Sequence, residues 1–287
     1  MSIKTVNLIF KYSEGTQFET RALDDINIEI KKGDFVGIIG HTGSGKSTLI
    51  QHFNGLMKPD KGDIIIEGKS LKAKSTKLKL IRQIVGLVFQ YPEYQLFEET
   101  VYKDVAYGPI NLGLKDNEVE ERVKYAIELV GFDYKEVKDK SPFDLSGGQK
   151  RRIAIAGVLA MKPQYLILDE PTAGLDPAGR NEILSQVEKL HRKSGITVIL
   201  VSHSMEDIAR LVKHIFVLNK GKLYMEGTPK EIYSQSEELK KIGLGVPQVV
   251  EIMKELKKKG FNINTDIFNI QDARDEIIRV LGSNLNV

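Results

Sequence analysis

The chain has 287 residues, 41% hydrophobic and 28% charged, an ordinary globular balance with ample length for a core in one large or two modest domains. It contains no cysteine, which excludes disulfides, thiolate metal sites and cysteine nucleophiles and fits a reducing compartment. A formal net charge of +3 is too small to argue for nucleic acid as a partner.

From the N-terminus, MSIKTVNLIFKYSEG moves straight into strand-like alternation at residues 6–10, without the long apolar core of a signal peptide. Residues 26–30, 35–40 and 62–67 read as further strands, followed by 84–89, 165–169, 196–201, 215–219 and 222–226. Several are short and almost wholly apolar, as parallel strands covered on both faces are. The longest apolar runs, such as 196–201, fall far short of the ~20 residues a membrane-spanning helix needs. The expectation is a chain soluble by itself, reaching a membrane only through partners or surface charge. Helical periodicity occupies 117–130, 148–161, 180–192 and 205–212. Strands alternating with helices predict an α/β layered domain. The stretch of about 100–161 carries helices and no convincing strand, so it reads as a helical insert. After Pro229 the pattern changes. Gly243, Gly245 and Pro247 break the chain before helical stretches at 247–259 and 272–281. The division expected is 1–230 and a small, mainly helical appendage at 231–287.

The strongest chemical signal is Gly40-His41-Thr42-Gly43-Ser44-Gly45-Lys46-Ser47, between the apolar run FVGIIG and a helix. Glycines let the backbone wrap a phosphate chain, and a helix N-terminus offers free N–H groups at its positive end. Lys46 is expected to reach the β- and γ-phosphates, the Ser47 hydroxyl to bind Mg²⁺, and Thr48 to donate to the α-phosphate. The bland alternative is a Gly-rich turn with an incidental lysine. In Tyr165-Leu-Ile-Leu-Asp169-Glu170 an apolar strand ends in two carboxylates. Asp169 suits Mg²⁺ through water, and Glu170 suits a base or orienter for an attacking water. The alternative is a buried strand that merely ends in a charged turn.

Leu145-Ser146-Gly147-Gly148-Gln149 opens a helix just ahead of that acidic strand. Ser146 and the glycine N–H groups suit an anion at a helix N-terminus. Here the sequence resembles the ATP-binding-cassette (ABC) family, whose signature is this segment. The resemblance covers about residues 3–230. It implies a P-loop NTPase cassette: a RecA-like α/β core, an antiparallel β subdomain and a helical insert, followed here by the small helical C-terminal segment. It implies ATP and Mg²⁺ as ligands and assigns further roles by position. Gln90 matches the glutamine that senses metal and attacking water, and is counted with Ser47 and Asp169 as a metal-site residue. His203 matches the switch histidine, Tyr12 the aromatic that stacks on adenine, and Asp176, in Ala173-Gly-Leu-Asp176, the loop that crosses to a partner. In such cassettes two chains stack head to tail. ATP then lies between the phosphate loop of one and Ser146–Gln149 of the other.

The segment FQYPEYQLFEETVYKDVAYGP (89–109), with HFNGLMKPDKG (52–62), DEPTAGLDPAGR (169–180) and GLGVPQVVEIMKEL (243–256), is similar to the ATPases of energy-coupling factor (ECF) importers of vitamins and transition metals. Its wording is closer to their second, A-prime, ATPase. That resemblance implies a second related ATPase as partner, with a homodimer as the other form. It also implies a membrane coupling protein docking near residues 90–109, a substrate-binding membrane subunit, and a peripheral place on the cytoplasmic face of the cell membrane. The alternatives are the ATPase of another ABC importer class or a non-transport ABC ATPase. Three features keep two readings each. The aromatic stretch 91–107 is a groove for a membrane-protein helix or packing of the insert. The basic run 69–82 faces lipid headgroups or nucleic acid, or is a solvated face. The C-terminal appendage is a dimer clamp or a covering helix pair.

Overall fold

Eight of the nine apolar or alternating runs become single strands, the ninth divides between two, and a two-residue strand escapes the patterning altogether. The computed structural model describes residues 1–284. In chain order the elements are β1 (Ser2–Tyr12), β2 (Thr20–Ile26), β3 (Glu29–Lys31), β4 (Phe35–Ile39), α1 (Lys46–Phe53), β5 (Lys61–Ile66), β6 (Lys69–Ser70), α2 (Leu78–Ile84) and β7 (Val85–Val88). The insert follows as α3 (Val101–Leu112), α4 (Asp116–Leu129), α5 (Tyr134–Val137) and α6 (Gly147–Leu159). Then come β8 (Tyr165–Asp169), α7 (Pro177–Ser194), β9 (Thr197–Val201), α8 (Met205–Leu211), β10 (His214–Asn219) and β11 (Lys222–Gly227). The chain closes with α9 (Pro229–Ser234), α10 (Ser236–Lys241), α11 (Gln248–Lys258) and α12 (Ile270–Asn284).

The larger sheet has the order β11-β10-β4-β9-β8-β7. All its pairings are parallel except β10 with β11. β4, β7, β8 and β9 are buried at every position, which is why they read as unbroken apolar runs. Alternate side chains serve two cores. Phe35, Ile39, Leu166, Leu168, Val198 and Leu200 face the helical insert and the C-terminal helices. Val36, Ile38, Ile167, Ile199 and Val201 face α1 and the second sheet. Each fully buried Ile or Leu there contributes about 1.5–3 kcal/mol from removed apolar surface.

The second sheet is antiparallel, in the order β2-β1-β5-β6 with β3 also on β1. Residues 26–30, expected as one strand, divide between β2 and β3. Asp25 sits at φ 58°, and the Asn27 side chain accepts from Asn7 N–H at 2.7 Å, taking a ladder position from the backbone. β2 itself escapes sequence patterning because only Leu23 and Ile26 of its seven residues are buried.

Between Val101 and Leu159 the chain carries helices α3 to α6 and no strand. The C-terminal helices do not build a core apart. Val250, Met253, Ile263 and Ile267 join the same apolar cluster as Met205 and Ile208 of α8. Buried Tyr233 of α9 donates to Met205 O at 3.1 Å. Among the described residues no helix is long and apolar enough to cross a membrane.

Candidate active site

Strand order assembles the site. β4, β9, β8 and β7 lie side by side and parallel, so their C-terminal ends share one edge of the sheet. The phosphate loop leaves β4, His203 follows β9, Asp169 and Glu170 end β8, and Gln90 follows β7. Four segments distant in sequence thereby converge, at the edge where open parallel sheets bind ligands.

The loop is shaped by close approach. A Cβ on Gly45, which stands at φ 100° as the residue before α1, would meet Ala22 O at 2.5 Å. A Cβ on Gly40 would collide with Leu218 O and Ser44 Oγ. Gly43 faces open space. Buried Lys46 turns its ammonium into the loop, donating to Gly40 O at 2.6 Å and His41 O at 3.1 Å. Burial pushes Lys46 below its usual range, with Glu170 and Asp169 opposing that shift. The His41 ring lies between Thr42 O and the Asn219 side chain. Ser44 Oγ is fully buried without a hydrogen-bond partner, an orphan that a phosphate oxygen suits. These features fit a phosphate chain.

Asp169 is buried, which raises it, while the hydroxyl of Ser47 and the ammonium of Lys46 pull the other way. A carboxylate and a hydroxyl at this spacing suit a hard cation that takes its other ligands from phosphate and water. Glu170 stands at φ 48°, a left-handed conformation that costs a non-glycine residue about 1–2 kcal/mol. Its Oε2 accepts from His203 N–H at 3.3 Å, and its Oε1 lies 3.2 Å from His203 Nε2. That second approach is not aligned as a hydrogen bond, so Oε1 is buried and unpartnered. Burial first, then neighbouring Asp169, pushes Glu170 up to about 7, against the His203 N–H and Lys46. Burial and Lys46 push the His203 imidazole down. Both disfavour the charged ring, so the contact gains little as an ion pair.

A stability consequence follows. The folded value of Glu170 is raised, so the contribution of this group is intact below the unfolded value and is lost as pH rises toward 7. In the nucleotide-free chain Glu170→Gln should therefore be more stable than wild type by about 2–3 kcal/mol at pH 8, and equal to it below about pH 4. Urea unfolding at the two pH values checks this, and a difference that ignores pH speaks against it.

The remaining expected residues are placed as follows. Gln90 is exposed, directly before Tyr91 at φ 56°. Tyr12 ends β1 beside α1. Its hydroxyl shares a 3.1 Å hydrogen bond with Thr48 Oγ1, so that hydroxyl is engaged with Tyr12. Asp176 caps α7, accepting from Gly179 N–H at 2.8 Å. Ser146 and Gln149 form a reciprocal cap on α6. Cβ atoms on Gly147 or Gly148 would meet nothing within 4 Å. Among the described residues, no hydrogen bond or ion pair joins 145–149 to 40–48.

Sequence reading missed Arg151. Its side chain is 1% exposed and grips Glu93 with Nε and Nη2 at 3.0 and 2.7 Å. Nη1 donates to Pro171 O and Ala173 O at 3.0 and 2.8 Å. One side chain thus ties α6, the turn after Gln90 and the loop after Glu170. Burial raises Glu93, but the guanidinium prevails and holds the carboxyl below its usual range. No sequence signal pairs residues this far apart, although an arginine on an otherwise apolar helix face is a hint.

Comparison with known proteins bears on this geometry. The ABC transporter family matches residues 23–173. A protein of Clostridium tetani named energy-coupling factor transporter ATP-binding protein EcfA2 is 55% identical over 99% of this chain and 98% of its own length. One of the same name from Caldanaerobacter subterraneus subsp. tengcongensis is 58% identical over the whole of both chains. The chain belongs to the energy-coupling factor branch of the ABC transporter ATPases. As such a cassette it is an ATP hydrolase coupled to transport, of the second ATPase type, as the wording of residues 89–109 implies. Solved cassettes agree in fold. CbiO1 of Clostridium perfringens, described as part of the ABC transporter complex cbiONQ, superposes with TM-score 0.74 at 40% identity, over 88% of this chain and 98% of that one. The ABC cassette MJ0796, solved as a dimer in a post-hydrolysis state with ADP and Pi, gives 0.70 at 29% identity, over 79% and 98%.

Proposed function

We propose that this cassette hydrolyses ATP only in a composite site, facing a second, related ATPase head to tail. The observation that carries this reading is the separation of the two halves. Among the described residues Ser146–Gln149 makes no hydrogen bond or ion pair to its own phosphate loop, and its glycines face open space. A second chain's γ-phosphate fits there, at a capped helix N-terminus with unhindered N–H groups.

Within that site Lys46 leaves the carbonyls of Gly40 and His41 for the β- and γ-phosphates. Glu170 Oε1, unpartnered and aimed by its left-handed backbone, holds the attacking water and accepts its proton. His203 fixes Oε2 through its N–H and offers its ring to the γ-phosphate. The opposing Ser146 adds a donor to the transition state. Mg²⁺, held by Ser47 and Asp169 with Gln90 beside them, would neutralise charge on the phosphate oxygens. Tyr12 meets the adenine ring, and Asp176 crosses to the partner.

The stretch 91–107 is the dock for a helix of a membrane coupling protein. Tyr94, Phe97 and Tyr107 are 84%, 58% and 50% exposed, which favours docking over internal packing. Arg151 links this dock to Glu170 through Glu93 and Pro171, a route by which closure moves the docked helix. A substrate-binding membrane subunit reads the solute, a vitamin or transition-metal ion, and the cassette sits peripherally on the cytoplasmic face. The exposed Ile252, Ile270 and Ile278, near Leu175 of the crossing loop, support the C-terminal helices as a clamp between the two ATPases. Co-purification from native membranes in mild detergent, read by mass spectrometry, tests the assembly. A second cassette with two small membrane proteins is expected; ribosomal or DNA-repair proteins in their place overturn it.

A further inference from the structure

The segment after β9 is gripped from two sides. His203 touches Glu170 on one side. The next residue, Ser204, is held on the other. Its hydroxyl accepts from Asp207 N–H at 3.2 Å and from Nη2 of Arg180, and donates to Glu206 Oε2 at 3.4 Å. A hydroxyl has one proton and two lone pairs, so Ser204 is saturated and its rotor fixed. Arg180 also sets Nε and Nη2 on Asp207 Oδ2, each at 2.9 Å. Asp207 is 6% exposed. A planar guanidinium makes such a multipoint grip where an ammonium acts as a point charge.

Arg180 stands in the first turn of α7. Its backbone N–H donates to Asp176 O at 2.9 Å, and the Asp176 side chain caps the same turn. A continuous bonded path therefore runs from Asp176 through Arg180 and Ser204 to His203 and Glu170. None of the hydrogen bonds of Arg180 reaches the phosphate loop. Its loss should be felt in turnover and not in nucleotide affinity.

We propose that Arg180 is a positioning residue for hydrolysis: from the helix capped by Asp176 it fixes Ser204, and so seats His203 against Glu170. The alignment of the carboxylate then depends on what Asp176 meets in the opposing chain. The inference rests on the assignment of hydrolysis to Glu170 and His203.

The test is steady-state ATP hydrolysis by the assembled transporter, with thermal melting of each variant. Arg180→Gln should lower kcat about tenfold, since small misplacements of aligned groups are costly. KM for ATP should stay within about twofold, the mark of an interaction that matters in the transition state alone. Arg180→Lys, whose single ammonium can still donate to Ser204 and Asp207 but without the fixed fork of a guanidinium, should recover part of the loss, to within about threefold of wild type. A wild-type kcat in Arg180→Gln, a raised KM at unchanged kcat, or a loss that lysine does not relieve overturns the proposal. Should Arg180→Gln melt below the assay temperature, Arg180→Lys decides: reduced kcat at wild-type KM supports the proposal, and wild-type kcat overturns it. Glu170→Gln runs beside them. If it turns over like wild type, the site assignment itself falls; if it is inactive while Arg180→Gln is not, only this inference falls.

Discussion

Glu170→Gln, assembled with its partner, should bind ATP with near wild-type affinity and hydrolyse it about 10²–10⁴-fold more slowly, the usual loss when a general base is removed. The replacement keeps the shape of the side chain and the acceptor for His203 N–H. What it removes is the proposed proton acceptor at Oε1, a buried atom with no hydrogen-bond partner among the described residues. Lys46, whose hydrogen bonds go to loop carbonyls, is left in place for the phosphates. ATP should therefore stay trapped and the two-chain form accumulate on a sizing column. Phosphate release and nucleotide retention are the two measurements. A variant that keeps more than about a tenth of wild-type turnover would remove Glu170 as the base.

The second large effect concerns stability. Arg151→Met, close in volume, should destabilise the chain by about 3–5 kcal/mol, the range for breaking one side of a buried ion pair. The cost comes from what remains behind. Pro171 O and Ala173 O lose the donor they share, and the Glu93 carboxylate, with a side chain only 17% exposed, loses its counter-charge. Tyr91, whose ring lies 5.8 Å from the guanidinium, loses its cation. Glu93→Gln should cost less, about 1–2 kcal/mol, because the amide still accepts from one arm of the fork and meets some water. Urea unfolding of both variants reads the difference, and a loss below about 1 kcal/mol in Arg151→Met would mean that water replaces the guanidinium.

How much of this was legible beforehand follows from the physics of each element. β4, β8 and β9 announce themselves because parallel strands covered on both faces must be apolar throughout. The phosphate loop is legible because its glycines answer to local backbone crowding, as at Gly40 and Gly45. β2 is not legible, since a half-exposed edge tolerates TRALDDI, and Asp25 with Asn27 breaks what looks like one strand at 26–30. Lys46, Ser47, Asp169, Glu170 and His203 lie at one edge of the sheet because the order β4-β9-β8-β7 brings their strands together. The supporting side chains stayed hidden. Arg151 with Glu93, and Arg180 with Asp207, are pairs created by folding. Their sequence separations carry no periodic signal.

Gly147 and Gly148 open α6, where alanine would be the better helix former. Nothing in their own chain crowds a methyl group at either position. A selection that scores folding alone should thus accept alanine there and even favour it. A selection that scores transport should reject it if, as proposed, that space receives a ligand brought by another molecule. The two glycines would then be kept against the preference of the fold, and a scan of every substitution, read once for yield and once for uptake, would find them as positions where the two readings take opposite signs.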